Sequence, residues 1–184
     1  MSSSYQTNLI NTVISLSESN IWKDAVQEWV IEDCEEDISL QSSCICGKHE
    51  LRYLFTIRNS INKNILYPIG SSCIKKFERN ELSEEASIRE KLFKLYHAIV
   101  NHSFITLSNE FFSRKLLKYL YSEGVFKANK YNDNNPEKDY QFMLDMFNKK
   151  NKDSITPNQQ SKINALIINS IRPYLVEQLL EKIK

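Results

Sequence analysis

The chain has 184 residues, 24 Lys and Arg against 23 Asp and Glu, 41% hydrophobic residues and 26% charged ones. That balance is globular and excludes wholesale disorder, and no apolar run approaches the roughly 18 residues that a membrane-crossing helix needs. With only three glycines, Gly47, Gly70 and Gly124, neither a P-loop nor a G-x-G-x-x-G dinucleotide turn can be written, which argues against a nucleotide enzyme.

The near-neutral total hides a segregation. Residues 1–40 carry Lys23 alone against eight acids, and the rest of the chain is correspondingly basic. The opening Met1-Ser2-Ser3-Ser4-Tyr5 lacks the basic and apolar regions of a signal peptide, which points to the cytoplasm, where thiols stay reduced. Apolar residues at 9, 10, 13, 14 and 16 share one helical face. Trp29-Val30-Ile31-Glu32 reads as a strand leading into the acid run Glu32, Asp33, Glu35, Glu36 and Asp37, with Cys34 in its middle. Such a run is either a solvated strand end or a protein-binding surface that imitates nucleic acid.

Next come Cys44-Ile45-Cys46-Gly47-Lys48-His49 and, a hairpin's length later, Pro68-Ile69-Gly70-Ser71-Ser72-Cys73. Zinc takes about four thiolate or imidazole ligands in a tetrahedron, and a glycine after a cysteine lets the backbone fold tightly beneath the sulfurs. Cys44, Cys46 and Cys73 are therefore three expected zinc ligands. The fourth is expected from His49, three residues past Cys46, with Cys34 as the alternative. A closed site of this kind is structural, since catalytic zinc keeps a position open for water. Between the two cysteine segments, Leu51 to Arg58 alternates Tyr53, Phe55 and Ile57 against Arg52, Thr56 and Arg58, a strand that turns at Asn59 to Asn64 and returns through Ile65 to Tyr67. Pro68 would end that second strand. Gly70 would take a left-handed bend, and Ser71 or Ser72 would cap a short helix whose first turn holds Cys73.

These three segments, with Phe55-Thr56-Ile57-Arg58-Asn59 and Ile74-Lys75-Lys76-Phe77, resemble a cysteine module of uncharacterised phage and mobile-element proteins from low-GC bacteria. The resemblance covers about a quarter of the chain. It implies a zinc-ribbon or treble-clef-like fold and a bacterial host, and it implies no activity. The second ligand pair of a treble clef is missing after Cys73.

From Ser83 the pattern becomes helical. A stripe of Ile88, Leu92, Phe93, Tyr96 and Ile99 defines one helix to about Val100, and a second runs from about Asn109 to Glu123 and stops at Gly124. A polar loop spans Lys127 to Asn135. Pro136 then opens a third helix with Tyr140, Met143, Leu144 and Phe147 buried. Thr156-Pro157 starts a fourth, carrying Ile163, Leu166, Ile167 and Ile171, which Pro173 should kink or break. The expected fold class is α+β: an N-terminal helix and acid segment (1–40), a zinc-stabilised β-hairpin/helix module (41–82) and a helical bundle (83–184).

Catalytic motifs are missing from the sequence. No G-x-S-x-G, H-E-x-x-H or H-x-E with P-C-x-x-C occurs, and His97 and His102, five apart, face different sides of a helix. The expectation is a non-enzymatic binding protein. Residues 41–82 hold Lys48, Arg52, Arg58, Lys63, Lys75, Lys76 and Arg79 against Glu50, Glu78 and Glu81. Of these, Lys48, Arg52, Arg58, Lys75, Lys76 and Arg79 are the candidate contacts to nucleic acid or a nucleoprotein complex of the host. Arg114, Lys115 and Lys118 form a second basic face on an ordinary amphipathic helix. The competing expectation is a phage inhibitor of a host defence effector, of anti-CRISPR type, acting by protein contact with the acid run as the mimic.

Overall fold

A computed structural model describes residues 4–101, 103 and 105–184. The fold is α+β, a three-stranded antiparallel sheet with helices before and after it. Two compact units divide the chain: one runs up to Glu90 and takes back Glu181–Lys184, and the other is Lys91–Leu180. Helix α4 (Asn80–Val100) runs without a break through residue 83, the expected start of the bundle, because Asn80 to Ser83 already follow its helical period.

In the first unit, helix α1 (Ser4–Ser15) buries Leu9 and Val13, and the single turn α2 (Trp22–Ala25) places Trp22 edge-on against Phe77, with ring centroids 5.5 Å apart. Strand β1 (Trp29–Glu36) lies at the sheet edge, β2 (Tyr53–Asn59) is central and β3 (Ile65–Ile69) is the other edge. The acid run is strand through Glu36, and Asp37 follows it. Ile31 pairs with Ile57 but Asp33 pairs with Thr56, so Glu32 is the extra residue of a β-bulge. The bulge shifts the alternation by one: Trp29 and Ile31 are buried before it, Cys34 and Glu36 after it. Phe55 and Ile57 of β2 are fully buried as their alternation requires, and Leu54 is buried too.

The Asn59 to Asn64 turn is held as well. Glu28, a buried carboxylate, accepts from Asn59 Nδ2 at 2.6 Å and from the amides of Glu18 and Ser19 at 2.8 Å each. Burial pushes the Glu28 carboxyl up, but the Asn59 and backbone donors outweigh it and hold the group below the usual range. The side chains of Asn62 and Asn64 both donate to the Leu16 carbonyl, tying the turn to the end of α1.

Strand β3 includes Pro68, after a cis Tyr67–Pro68 bond, and continues to Ile69. Gly70 is extended (φ −83°, ψ 152°) instead of left-handed, and neither Ser71 nor Ser72 caps the helical turn α3 (Ser71–Ile74). Space is tight there: a Cβ would meet Leu51 Cδ2 at 3.0 Å, so the leucine would have to shift.

The second unit contains the remainder of α4, α5 (Arg114–Ser122), α6 (Pro136–Asn148), α7 (Pro157–Leu166) and α8 (Arg172–Leu179). Ser113 caps α5, so that helix starts later than expected, and Gly124 (φ +66°) follows its end. Asn135 caps α6, and a Thr156/Gln159 capping box opens α7. The fully buried residues of α6 are Asp139, Met143 and Met146, so the face is turned by one residue, about 100°, from the expected one, shares Met143 with it and leaves Tyr140, Leu144 and Phe147 half-buried. Asp139 recruits that face by accepting from buried Asn132 (2.7 Å) and pairing with Lys162 (2.9 Å), which also orders the polar loop before it. Pro173 does not break the last helix. Its ring and missing N–H are absorbed by a π-helical turn, Ile167–Ile171, whose Ile167 and Ile171 stay buried. Among the described residues, no helix is long and apolar enough to cross a membrane.

Candidate metal centre

Cys44, Cys46 and Cys73 come together, all buried, with their three sulfurs within 4.8 Å of one another. The knuckle that carries the first two is closed by backbone bonds. The Cys44 N–H donates to the Lys48 carbonyl (2.8 Å), the Gly47 N–H donates to the Cys44 carbonyl (2.7 Å), and the Leu51 N–H donates to the Ser42 carbonyl (3.0 Å). Gly47 sits at φ +93°, a conformation that side chains rarely adopt, and this permits the tight turn. The Ile45 N–H donates to the Pro68 carbonyl (3.0 Å), fastening the knuckle to β3, and Asn8 of α1 donates to the Cys46 carbonyl (3.2 Å). Cys73 arrives from the first turn of α3.

The sulfurs of Cys44 and Cys73 are 3.7 Å apart, far beyond an S–S bond of about 2.05 Å. A tetrahedral ion with Zn–S arms of about 2.3 Å has sulfur–sulfur edges of about 3.8 Å, so the spacing suits a shared metal ion. The Cys73 thiol hydrogen-bonded to Cys44 holds the Cys44 thiol well below its ordinary range, with the amides of Cys46 and Gly70 adding to the effect; the Gly70 N–H lies 3.3 Å from the sulfur. Its partner Cys73 is pushed the other way by the same contact. Metal ions bind thiolates, so a lowered thiol pKa favours ligation. Three buried cysteines are thus positioned to hold a metal ion.

Neither candidate for the fourth ligand lies in this group. His49 is exposed, its Nδ1 2.7 Å from Ser43 Oγ. Cys34 is on β1 opposite Phe55, with its sulfur toward the Glu35 carbonyl (3.7 Å), and burial pushes its thiol far up. A cavity of about 200 Å³ opens onto Cys44 and Cys73 and is also lined by Lys48, Glu50, Arg52 and Ser72.

The acid run is committed to this unit's own cations and hydroxyls. Glu32 pairs with Arg58 (2.8 Å), Asp33 with Lys182, Glu35 with Lys184 (2.6 Å), and fully buried Glu36 with Arg52 (2.7 Å). Asp37 accepts from the hydroxyls and amides of Ser39 and Ser42, which hold its carboxyl far below the usual range. The acid run is thus paired within its own unit, while Glu32 and Asp33 stay about 40% exposed.

The basic candidates divide in the same way. Arg52 and Arg58 are in the pairs just named, and Arg79 is turned inward. Its Nη1 donates to the carbonyls of Trp29 (2.6 Å), Val26 (3.1 Å) and Gln27 (3.3 Å), and its side chain is only 13% exposed. Arg79 is corrected from a surface contact to a structural residue, since backbone carbonyls left over at a turn and a sheet edge attract a guanidinium. Lys48, Lys75 and Lys76 are exposed and make no side-chain hydrogen bond or ion pair among the described residues. In the second unit Arg114 bonds Asn148 Oδ1 (2.7 Å). His97 is half-buried against Tyr96, and His102 lies outside the described residues.

Sequence reasoning missed Lys182 and Lys184, and it missed the Gly70 amide as a donor to sulfur. The Lys-x-Lys spacing, which matches the spacing of Asp33 and Glu35, was the available signal. Compared with known proteins, the chain matches no family model, no curated protein and no solved structure.

Proposed function

We propose that the chain is a non-enzymatic, zinc-stabilised binding protein that engages nucleic acid, or a nucleoprotein complex, through Lys48, Lys75 and Lys76. One contrast carries the reading. In the first unit Arg52, Arg58, Arg79, Lys182 and Lys184 bond carboxylates or carbonyls, whereas these three lysines stay solvated beside or just after the cysteine ligands. Zinc is the metal because an all-sulfur, buried, near-tetrahedral edge suits it and because binding would fix the knuckle to α3. The fourth ligand in this reading is His49, released from Ser43. The resemblance of the cysteine segments to a mobile-element module supports a phage or mobile-element origin and action in the cytoplasm of a bacterial host.

The unit as a whole carries eleven Lys and Arg against fifteen Asp and Glu, so binding depends on local placement of cations. Three phosphate contacts give a salt slope of about −2.7 on duplex DNA, or about a 40-fold loss of affinity between 50 and 200 mM salt. Fluorescence anisotropy with labelled DNA and RNA, single- and double-stranded, tests this directly. The expected result is salt-sensitive binding that charge reversal at Lys48, Lys75 and Lys76 abolishes. Binding that is absent at low salt, or unchanged by the triple reversal, overturns it.

A further inference from the structure

The open edge of β1 has a resident. Ile183 forms a parallel bridge with Glu36, the Lys184 N–H donates to the Glu36 carbonyl (2.8 Å), and the Ile38 N–H donates to the Lys184 carbonyl (3.1 Å). The side chains repeat the match. Lys182 reaches Asp33, and Lys184 Nζ reaches Glu35 (2.6 Å) and the Tyr67 hydroxyl (3.1 Å), which itself donates to Glu35 (2.7 Å). Lys182 ends a 3-10 turn (Leu180–Lys182) and only Ile183 and Lys184 lie along the strand, and in this arrangement lysines two residues apart meet acids two residues apart on the edge strand. Both ion pairs are partly solvated, with Lys182 32% and Lys184 51% exposed. Only a few backbone bonds hold the segment, and four residues of a chain that otherwise belongs to the other unit fold back here.

We propose that the Glu36 end of this edge of β1 is a docking site for a peptide carrying lysines two residues apart, and that Glu181–Lys184 is its displaceable occupant. The site uses main-chain pairing for affinity and the acids Asp33 and Glu35 for selectivity. It stands apart from the metal centre and from Lys48, Lys75 and Lys76, so it does not rest on the nucleic-acid reading. Covering the Glu36 end of the edge also limits unspecific strand pairing there, which gives the occupant a resting role.

The test uses the full chain with Lys182→Glu and Lys184→Glu, which repels the resident segment from Asp33 and Glu35, and a fluorescent peptide with the sequence from Gln178 to Lys184. The variant should bind the peptide saturably, and the unaltered chain should bind it about tenfold or more weakly because its own segment competes at high effective concentration. Adding Asp33→Lys and Glu35→Lys should abolish binding. A folded variant that ignores the peptide, or equal binding to both chains, overturns the proposal. Hydrogen exchange on the unaltered chain tests it without any substitution. The Ile38 amide, bonded to Lys184, should exchange about 100-fold faster than the neighbouring Asp37 amide, which is bonded to the Arg52 carbonyl (2.7 Å) inside the fold. A single common rate would mean that the segment is an integral strand and would refute displacement.

Discussion

Replacing Arg79 with methionine separates two roles that a basic residue near a cysteine module can have. The guanidinium Nη1 carries two hydrogens shared among the carbonyls of Trp29, Val26 and Gln27, so at most two full charge-assisted bonds exist at a time. Hydrogen bonds to charged groups contribute about 1.5–3 kcal/mol each. Water can reach some of these edge carbonyls once the guanidinium is gone, which sets the expected loss near the lower sum, about 3 kcal/mol. The Glu81 partner is 64% exposed and adds nothing that matters to the total. Methionine keeps the apolar stem, so packing is little changed. Both tryptophans of the chain, Trp22 and Trp29, lie in the first unit, so urea unfolding followed by tryptophan fluorescence reports on that unit alone. The double substitution of Lys75 and Lys76 by methionine is the control and should stay within about 0.5 kcal/mol of the parent. An Arg79→Met protein as stable as that control would refute the inward assignment of Arg79.

Gly47→Ala should weaken metal binding by about tenfold, because the φ of +93° costs an alanine roughly 1–2 kcal/mol while its Cβ meets Asn8 and Tyr5 only at an ordinary 3.8 Å; competition with a chromophoric chelator measures it, and an unchanged affinity would contradict the strained-turn account. In acid, the carboxyls of Asp37 and Glu28 are held low in the folded state, so their stabilisation is full above the unfolded value of about 4 and disappears as pH falls through the lower folded values. Asp37→Asn should therefore be less stable than the parent at pH 7, with the gap closing towards pH 2 in matched urea titrations; a gap that stays constant with pH would show that the Ser39 and Ser42 bonds do not depend on the charge.

Local chemistry made much of the fold legible. The 55 and 57 alternation, the Asn-rich turn, and the Asn135-Pro136 and Thr156-Pro157 starts are all signals contained in a few neighbouring residues, and each element forms where they place it. The three sulfurs were legible for the same reason, since a knuckle, a hairpin and a helical turn of these lengths return Cys73 to Cys44. What stayed hidden depends on distant partners. The bulge at Glu32 exists because β2 lies alongside, and it alone decides that Cys34 and Glu36 face inward. Gly70 sits in extended backbone closely against Leu51, although its place in the chain suggested a bend. Arg79 reads as a surface cation until the carbonyls of residues some fifty positions earlier are brought beside it. The acid run read as free because the lysines that neutralise it at Asp33 and Glu35 are 149 residues away.

The most direct test of a metal-centred module is elemental analysis of the purified protein beside its Cys46→Ser variant, followed by cobalt substitution of the parent. One zinc per chain is expected, with a cobalt spectrum showing thiolate charge transfer and tetrahedral d–d bands, and the metal should be lost or greatly weakened in the variant. A folded parent without bound metal, or a variant that retains it unchanged, would contradict the centre on Cys44, Cys46 and Cys73.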